Sequence, residues 1–307
     1  MAELCDTKKN NMRVFVTGAT GFVGSAIIQE LIGAGHQVVG LARSEAAAQA
    51  LITAGAEVYR GNIDDLDSLR RGAAAADGVI HTAFNHDFSN FKAITEADRG
   101  IIDALGTACA GPFIVTSAIG VLPPSTRLLT EEDMPGASMN NRKVTEEACD
   151  AVAAKGVSVS VVRLPPSVHG EGDHGFIPIL MGIAKEKGIS VYAEEGLNRW
   201  PAVHVLDAAR LYKLALEKGA AAGTRYHAVG DEGVTFREIA EVIGKHLNVP
   251  VVSKSKEEAA AHFGWFAHFA AMNVPASAAQ TQESLGWTPV QPGLIADLNS
   301  DSYFSLK

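Results

Sequence analysis

The chain has 307 residues, 47% of them hydrophobic, enough for a sizeable core in one compact unit with an appended lobe. Lys and Arg number 26 against 35 Asp and Glu, and this net charge of −9, without a basic stripe, argues against a nucleic-acid partner. No apolar run is long enough to span a bilayer, and Cys5, Cys109 and Cys149 lack the paired spacing of a disulfide framework or zinc site, which points to a reducing, cytoplasmic setting.

Residues 1–12 are polar, lack an apolar signal core and read as a flexible leader. A short apolar run at 13–17 then ends in three glycines, Gly18, Gly21 and Gly24, and a helical pattern through Ile27, Ile28, Leu31 and Ile32 follows. Strand, tight turn and helix form the context that a dinucleotide-binding glycine fingerprint requires. Glycines let the backbone approach a pyrophosphate closely, and the helix start offers free amides and a positive dipole end. Thr17, Gly18, Thr20, Gly21, Phe22, Val23 and Gly24 are therefore the candidate pyrophosphate contacts.

Further apolar runs at 37–41, 57–60, 78–81, 112–116 and 158–164 alternate with helical stretches at 21–33, 45–53, 66–74, 91–110 and 141–155. Such alternation predicts an α/β fold with a doubly wound parallel sheet, here a dinucleotide-binding domain over 13–164. After Leu164 the rhythm breaks into a loop-rich region with Pro165, Pro166, several glycines and Pro178. Helical stretches return at 206–218, 236–247 and 276–285. Residues 165–307 read mainly as a small C-terminal substrate lobe, with some segments returning to the first domain.

The end of the second strand bears on which nucleotide is held. In NAD binders an acid there accepts from the ribose hydroxyls. Here Val38-Val39-Gly40-Leu41 runs into Ala42-Arg43-Ser44 with no acid at the turn. A guanidinium pairs with a 2′-phosphate that a carboxylate would repel. The expectation is NADP(H), with Arg43 on the phosphate and Ser44 assisting, and NAD(H) as the alternative; a solvated cation at a helix start is the plainer reading of Arg43.

The spacing Gly-x-x-Gly-x-x-Gly introduced by Thr17 resembles the short-chain dehydrogenase/reductase superfamily, and Thr-Gly-Ala-Thr-Gly-Phe-Val-Gly resembles its extended, epimerase/dehydratase-like branch. Val161-Val162-Arg163-Leu164-Pro165-Pro166-Ser167-Val168-His169-Gly170 is similar to that branch's Arg-x-Pro-x-x-Val-Tyr-Gly loop, with His169 in place of Tyr. Trp200-Pro201-Ala202-Val203-His204-Val205-Leu206-Asp207 and Leu285-Gly286-Trp287-Thr288-Pro289 extend the resemblance almost to the end of the chain. It implies a Rossmann domain with a discontinuous substrate lobe. It also implies Asn62 and Ile63 at the adenine edge, with Asp64 as a helix cap. Thr82 and Ala83, after His81, would lie beside the cofactor, and Pro165, Pro166, Ser167 and Val168 would flank the nicotinamide.

The family pair Tyr-x-x-x-Lys is where this chain departs. Lys143 matches the lysine that binds the nicotinamide ribose, but Met139 stands where the tyrosine belongs, and no tyrosine lies between residues 84 and 191. The family's serine at the end of the fifth strand falls near Ser117, or on Ala118 by the strict register, and a strand-end hydroxyl bonded to backbone is the plainer reading of Ser117. Lys143 or His169 could supply the missing proton; His86 with Asp87, and His174 after Asp173, stand in cleft loops. Arg142 could bind an anionic substrate group or be a surface cation. The histidines show no metal-ligand spacing, and no metal is expected. Taken together, the expectation is an NADP(H)-dependent oxidoreductase acting on a small organic carbonyl or alcohol. The rival is a non-redox protein on the same fold, either a lyase or isomerase or a nucleotide-sensing binder. Its partner is a small molecule, and a homodimer is one expectation for its assembly.

Overall fold

In Arg13–Thr17 every residue after Arg13 is β-branched or aromatic, and Val14 to Thr17 are buried, as the centre of a sheet covered on both faces requires. The computed structural model describes residues 11–85, 91–136, 142–219 and 221–300. The first half alternates strand and helix: β1 (Arg13–Thr17), α1 (Phe22–Gly33), β2 (Gln37–Ala42), α2 (Glu45–Ala54), β3 (Glu57–Arg60), α3 (Leu66–Ala74), β4 (Gly78–His81), α4 (Phe91–Ala108), β5 (Phe113–Ala118), α5 (Lys143–Ala153) and β6 (Val159–Leu164). Then follow β7 (Ser167–His169), α6 (Phe176–Lys187), β8 (Ser190–Ala193), β9 (Arg199–His204), α7 (Val205–Lys218), β10 (Thr224–His227), β11 (Asp231–Thr235) and α8 (Phe236–Leu247). The last elements are β12 (Val251–Lys254), α9 (Lys256–Phe263), α10 (Ala267–Ala270), α11 (Ala279–Leu285) and α12 (Leu294–Leu298).

Seven strands form one parallel sheet in the order β10-β6-β5-β4-β1-β2-β3. One face packs on α1, α2 and α7 through Val14, Val16, Ile27, Ile28 and Leu211. The other packs on α3, α4 and α5 through Phe15, Leu69, Ile102, Phe113 and Cys149. This is the doubly wound α/β sheet that the alternation predicts. Phe15 is fully buried, worth on the order of 2–3 kcal/mol. Its ring lies so close to α3 that a Cβ on Gly72 would come within 2.6 Å of it.

The second half builds smaller sheets, β11-β9-β7 and β12-β8, around an aromatic core of Phe176, Trp200, Phe236, Phe263 and Phe266. Pro178, read in the sequence as part of a loop, lies in the first turn of α6, where a missing N–H has no intrahelical acceptor to lose. β10 adds to β6 at the edge of the main sheet. Asp207 on α7 docks the C-terminal segment: its carboxylate accepts from the amides of Val290 (3.0 Å) and Gln291 (2.9 Å), and its carbonyl from Trp287 Nε1 (2.9 Å). Among the described residues no helix is long and apolar enough to cross a membrane.

Candidate functional site

Because the main sheet is parallel, the C-terminal ends of β1, β2, β3, β4, β5 and β6 share one edge, where open α/β sheets bind ligands. The glycine turn stands there, closed by Gly21 N to Gly18 O at 3.0 Å. Its three glycines have different reasons to be glycine. Gly18 has φ +70°, and a Cβ on it would lie 2.5 Å from Ala83 N and from Thr82 Oγ1. A Cβ on Gly24 would lie 2.1 Å from Gly18 O, so this glycine lets α1 pack on the turn. A Cβ on Gly21 meets only Gly18 O within 4 Å, at 3.3 Å. Gly21 is exposed and caps α1 with no side-chain cap, and the first turn of α1 carries no acid. The amides and dipole at this helix start face an open side, and the residues fit a dinucleotide pyrophosphate.

Thr20 is exposed, Phe22 is half-buried, and Val23 packs on the core. Thr17 is different: it is fully buried, with its hydroxyl 2.7 Å from His81 Nδ1. His81 Nε2 lies 3.1 Å from Asp98 Oδ1, and Thr145 Oγ1 donates to Asp98 Oδ2 at 2.6 Å. Burial alone would raise the Asp98 carboxyl, but the hydrogen bond and charge of His81, with Thr145, hold it below its ordinary value. The Thr17 side chain serves this buried spine and not the open side of the turn. Its carbonyl accepts from the Thr82 hydroxyl at 2.8 Å, and Thr82 and Ala83 are half-buried beside Gly18.

At the end of β2, Arg43 and Ser44 are exposed. The Ser44 hydroxyl caps α2 by accepting from Ala47 N at 3.2 Å. Glu45 is held by Arg60 at 2.8 Å, and Arg43 makes no ion pair among the described residues. After β3, Asn62 is exposed and Ile63 half-buried. The cap of α3 is Asp65, accepting from Ser68 N at 2.9 Å, and not Asp64 as the sequence suggested.

The candidate catalytic residues differ in exposure and partners. Ser117 is 1% exposed and donates to Glu146 Oε1 at 2.9 Å. Thr116, its neighbour, lies 2.7 Å from the buried Tyr212 hydroxyl, whose ionisation burial opposes. Both β5 hydroxyls are therefore engaged inside the fold, and the next residue is the half-buried Ala118. His169 has no exposed side-chain surface and is tied by Nδ1 to Asp297 Oδ2 on α12 at 2.7 Å. Burial pushes its imidazole below the ordinary value, with Asp297 opposing. β7 turns the His169 ring inward, where its Nδ1 fastens α12 and its Nε2 is buried. Pro165 and Ser167 are buried as well, and Pro166 and Val168 half-buried.

Lys143 opens α5, 35% exposed, with Nζ 3.5 Å from Glu147 Oε1. Beside it the buried Arg142 guanidinium lies 3.8 Å from the centroid of the Phe84 ring, and its burial lowers the guanidinium pKa while Asp98 opposes. The exposed His174 ring stands edge-on to Phe22, centroids 5.8 Å apart. Met139, His86 and Asp87 lie outside the described residues.

Glu146 is not among the residues the sequence motifs single out, yet it is the buried hub of α5. It receives Ser117, both arms of Arg163 and Arg225. The signal was available: Glu146 is three residues before Cys149, on the face α5 buries.

The profile of the NAD dependent epimerase/dehydratase family matches residues 14–228. An uncharacterized protein of Schizosaccharomyces pombe is 48% identical over 296 residues, covering 95% of this chain and 100% of that one. One of Saccharomyces cerevisiae is 45% identical over 295 residues, covering 94% and 99%. In fold, the solved structure of MoeE5 in complex with UDP-glucose and NAD superposes with a TM-score of 0.75 at 23% identity, covering 95% of this chain and 98% of that one. The family's members are NAD(P)-dependent enzymes, with epimerases, dehydratases and reductases among them. The profile takes in the glycine turn, the β5 edge, Lys143 and the loop through His169, and on that span the chain belongs to the NAD dependent epimerase/dehydratase family.

Proposed function

We propose that this protein is an NADP(H)-dependent oxidoreductase acting on a small organic carbonyl or alcohol in a reducing, cytoplasmic compartment. The observation that carries the cofactor choice is Arg43, exposed at the end of β2 without an ion pair among the described residues, where an NAD binder carries an acid. Ser44 caps α2 beside it, and Arg60 draws Glu45 aside. When bound, the dinucleotide supplies the hydride chemistry. The chain's own part is to seat the pyrophosphate on the α1 start and to orient the nicotinamide ribose through Lys143. The free Cys109 and Cys149 suit the compartment.

The test is titration of NADPH and NADH into the wild type and Arg43→Ala, with absorbance at 340 nm followed across a carbonyl panel. NADPH binds more tightly to the wild type, and the preference is lost in Arg43→Ala, a cost of about 1.5–3 kcal/mol for one charged hydrogen-bonding contact. Equal wild-type affinities defeat the assignment. One observation favours a second reading, a non-redox enzyme or a nucleotide-sensing binder: both hydroxyls at the end of β5 are engaged inside the fold. Dinucleotide binding with no 340 nm change on any carbonyl would support it.

A further inference from the structure

We propose that His174 is a cofactor-contact residue, carried by the loop after β7, that grips the dinucleotide pyrophosphate beside Phe22 at the start of α1. This rests on the dinucleotide reading above. The residue belongs to the loop after β7, and its ring meets Phe22, the first residue of α1, edge-on with centroids 5.8 Å apart and planes at 69°. A side chain of the lobe thus stands against the first residue of the helix whose uncapped start fits the pyrophosphate.

The ring is exposed, so it is not there to fill a core. Nδ1 lies 3.2 Å from the Gly172 carbonyl and donates to it, which leaves Nε2 as the ring atom for a ligand. In the imidazolium form Nε2 donates to a phosphate oxygen. Nearby acids do not compete strongly. The Asp173 carboxylate accepts from Gly175 N at 2.6 Å, Glu171 is exposed, and the first turns of α1 and α6 hold no acid. Phe22 then has a reason to be aromatic: its ring is the platform that steadies the imidazole over the turn.

The pyrophosphate is common to NADPH and NADH, so this contact sets affinity without setting preference. The experiment is calorimetric titration of NADPH, NADH and ADP-ribose into the full chain and three variants. His174→Ala weakens all three ligands by about tenfold, the scale of one charge-assisted hydrogen bond, with the NADPH/NADH ratio unchanged. His174→Phe, which keeps an edge contact with Phe22 but no polar atom, loses as much, while His174→Lys retains most of the affinity. Wild-type affinity in His174→Ala or His174→Phe would overturn the proposal, as would a changed NADPH/NADH ratio. If the wild type binds neither dinucleotide, the cofactor reading falls and this one with it; if the wild type binds and His174→Ala is unaffected, only the His174 assignment falls.

Discussion

Arg163 on β6 grips Glu146 on α5 with both arms of its guanidinium, Nε to Oε1 at 2.8 Å and Nη2 to Oε2 at 2.7 Å, and the two side chains are 0% and 2% exposed. Arg225 Nε adds a third donor at 3.0 Å and Ser117 a fourth at 2.9 Å. Burial would raise the Glu146 carboxyl, but these donors hold it below its ordinary value. The same guanidinium donates Nη1 to the Asp133 carbonyl at 2.8 Å. It therefore holds both ends of the chain that carries Met139: the loop before it and the helix after it.

Removing one partner of this pair leaves a buried charge, so Arg163→Met should cost about 3–5 kcal/mol, read as a lower urea midpoint. Arg225→Met should cost less, because Arg225 is partly exposed and Glu146 keeps the Arg163 fork. Ser117→Ala removes one hydrogen bond to a charged group and should cost about 1–3 kcal/mol. Its turnover on any carbonyl identified at 340 nm should stay close to wild type. A loss of orders of magnitude in kcat with normal stability would instead make Ser117 catalytic.

The glycines of the turn should separate folding from binding. Gly24→Ala places a Cβ 2.1 Å from the Gly18 carbonyl oxygen, a severe overlap, and should destabilise the whole domain. At Gly21 the Cβ of a Val would meet Gly18 O at 3.3 Å, a contact that a small shift relieves, so Gly21→Val should fold with a near-native melting temperature. Its side chain fills the open side of the turn, and calorimetry should find dinucleotide binding abolished. Normal affinity in a folded Gly21→Val protein would remove the pyrophosphate site from this turn.

Lys143 should matter to turnover more than its surface ion pair with Glu147 suggests. Exposed i,i+4 pairs contribute little, so Glu147→Gln should leave stability and activity nearly unchanged. Lys143→Ala should keep the fold yet lower kcat by orders of magnitude, because the proposed ribose contact and any lysine acid go with it. Met139→Leu should be close to neutral, and Met139→Tyr, which restores the family pair, should raise carbonyl reduction. Full turnover in Lys143→Ala would favour the non-redox reading.

Acid should weaken the fold partly through His227. It is buried on β10, donates Nδ1 to the Ser277 carbonyl at 2.8 Å, and faces Arg163 Nη1 with Nε2 at 3.2 Å. Burial first, and Arg163 second, push its imidazole down to about 4. Between the ordinary histidine value of 6.5 and about 4, the unfolded chain binds a proton that the folded chain refuses. Stability therefore falls as pH drops through that window, and this loss is complete near the lower value. Urea midpoints measured from pH 7 to 4 should show a shallower decline in His227→Asn; parallel curves would mean His227 titrates alike folded and unfolded.

The strands and helices of the first half were legible because their signals are local. β1, β3, α3 and β4 begin and end where the apolar runs and helical pattern do, and the glycine turn falls between β1 and α1. The second half was less legible for a physical reason. β7 is three residues long, and β8, no shorter than β3 or β4, lies outside the regular alternation of strand and helix; both are strands because β9 and β12 pair with them.

The direction of a side chain was decided only by packing. Ser117, His169 and Thr17 have residue types suited to chemistry, yet the fold turns each inward, to Glu146, Asp297 and His81. A sequence records that a hydroxyl or imidazole is present. Which face of a strand is buried, and what distant residue waits there, follows from pairings as far apart as 128 residues, the separation of His169 and Asp297. Sequence alone thus determined the doubly wound sheet and the order of strand, glycine turn and helix that opens it. Tertiary structure alone decided which polar groups face the open edge and which hold the molecule together, because burying a polar group requires a partner that only the folded chain supplies.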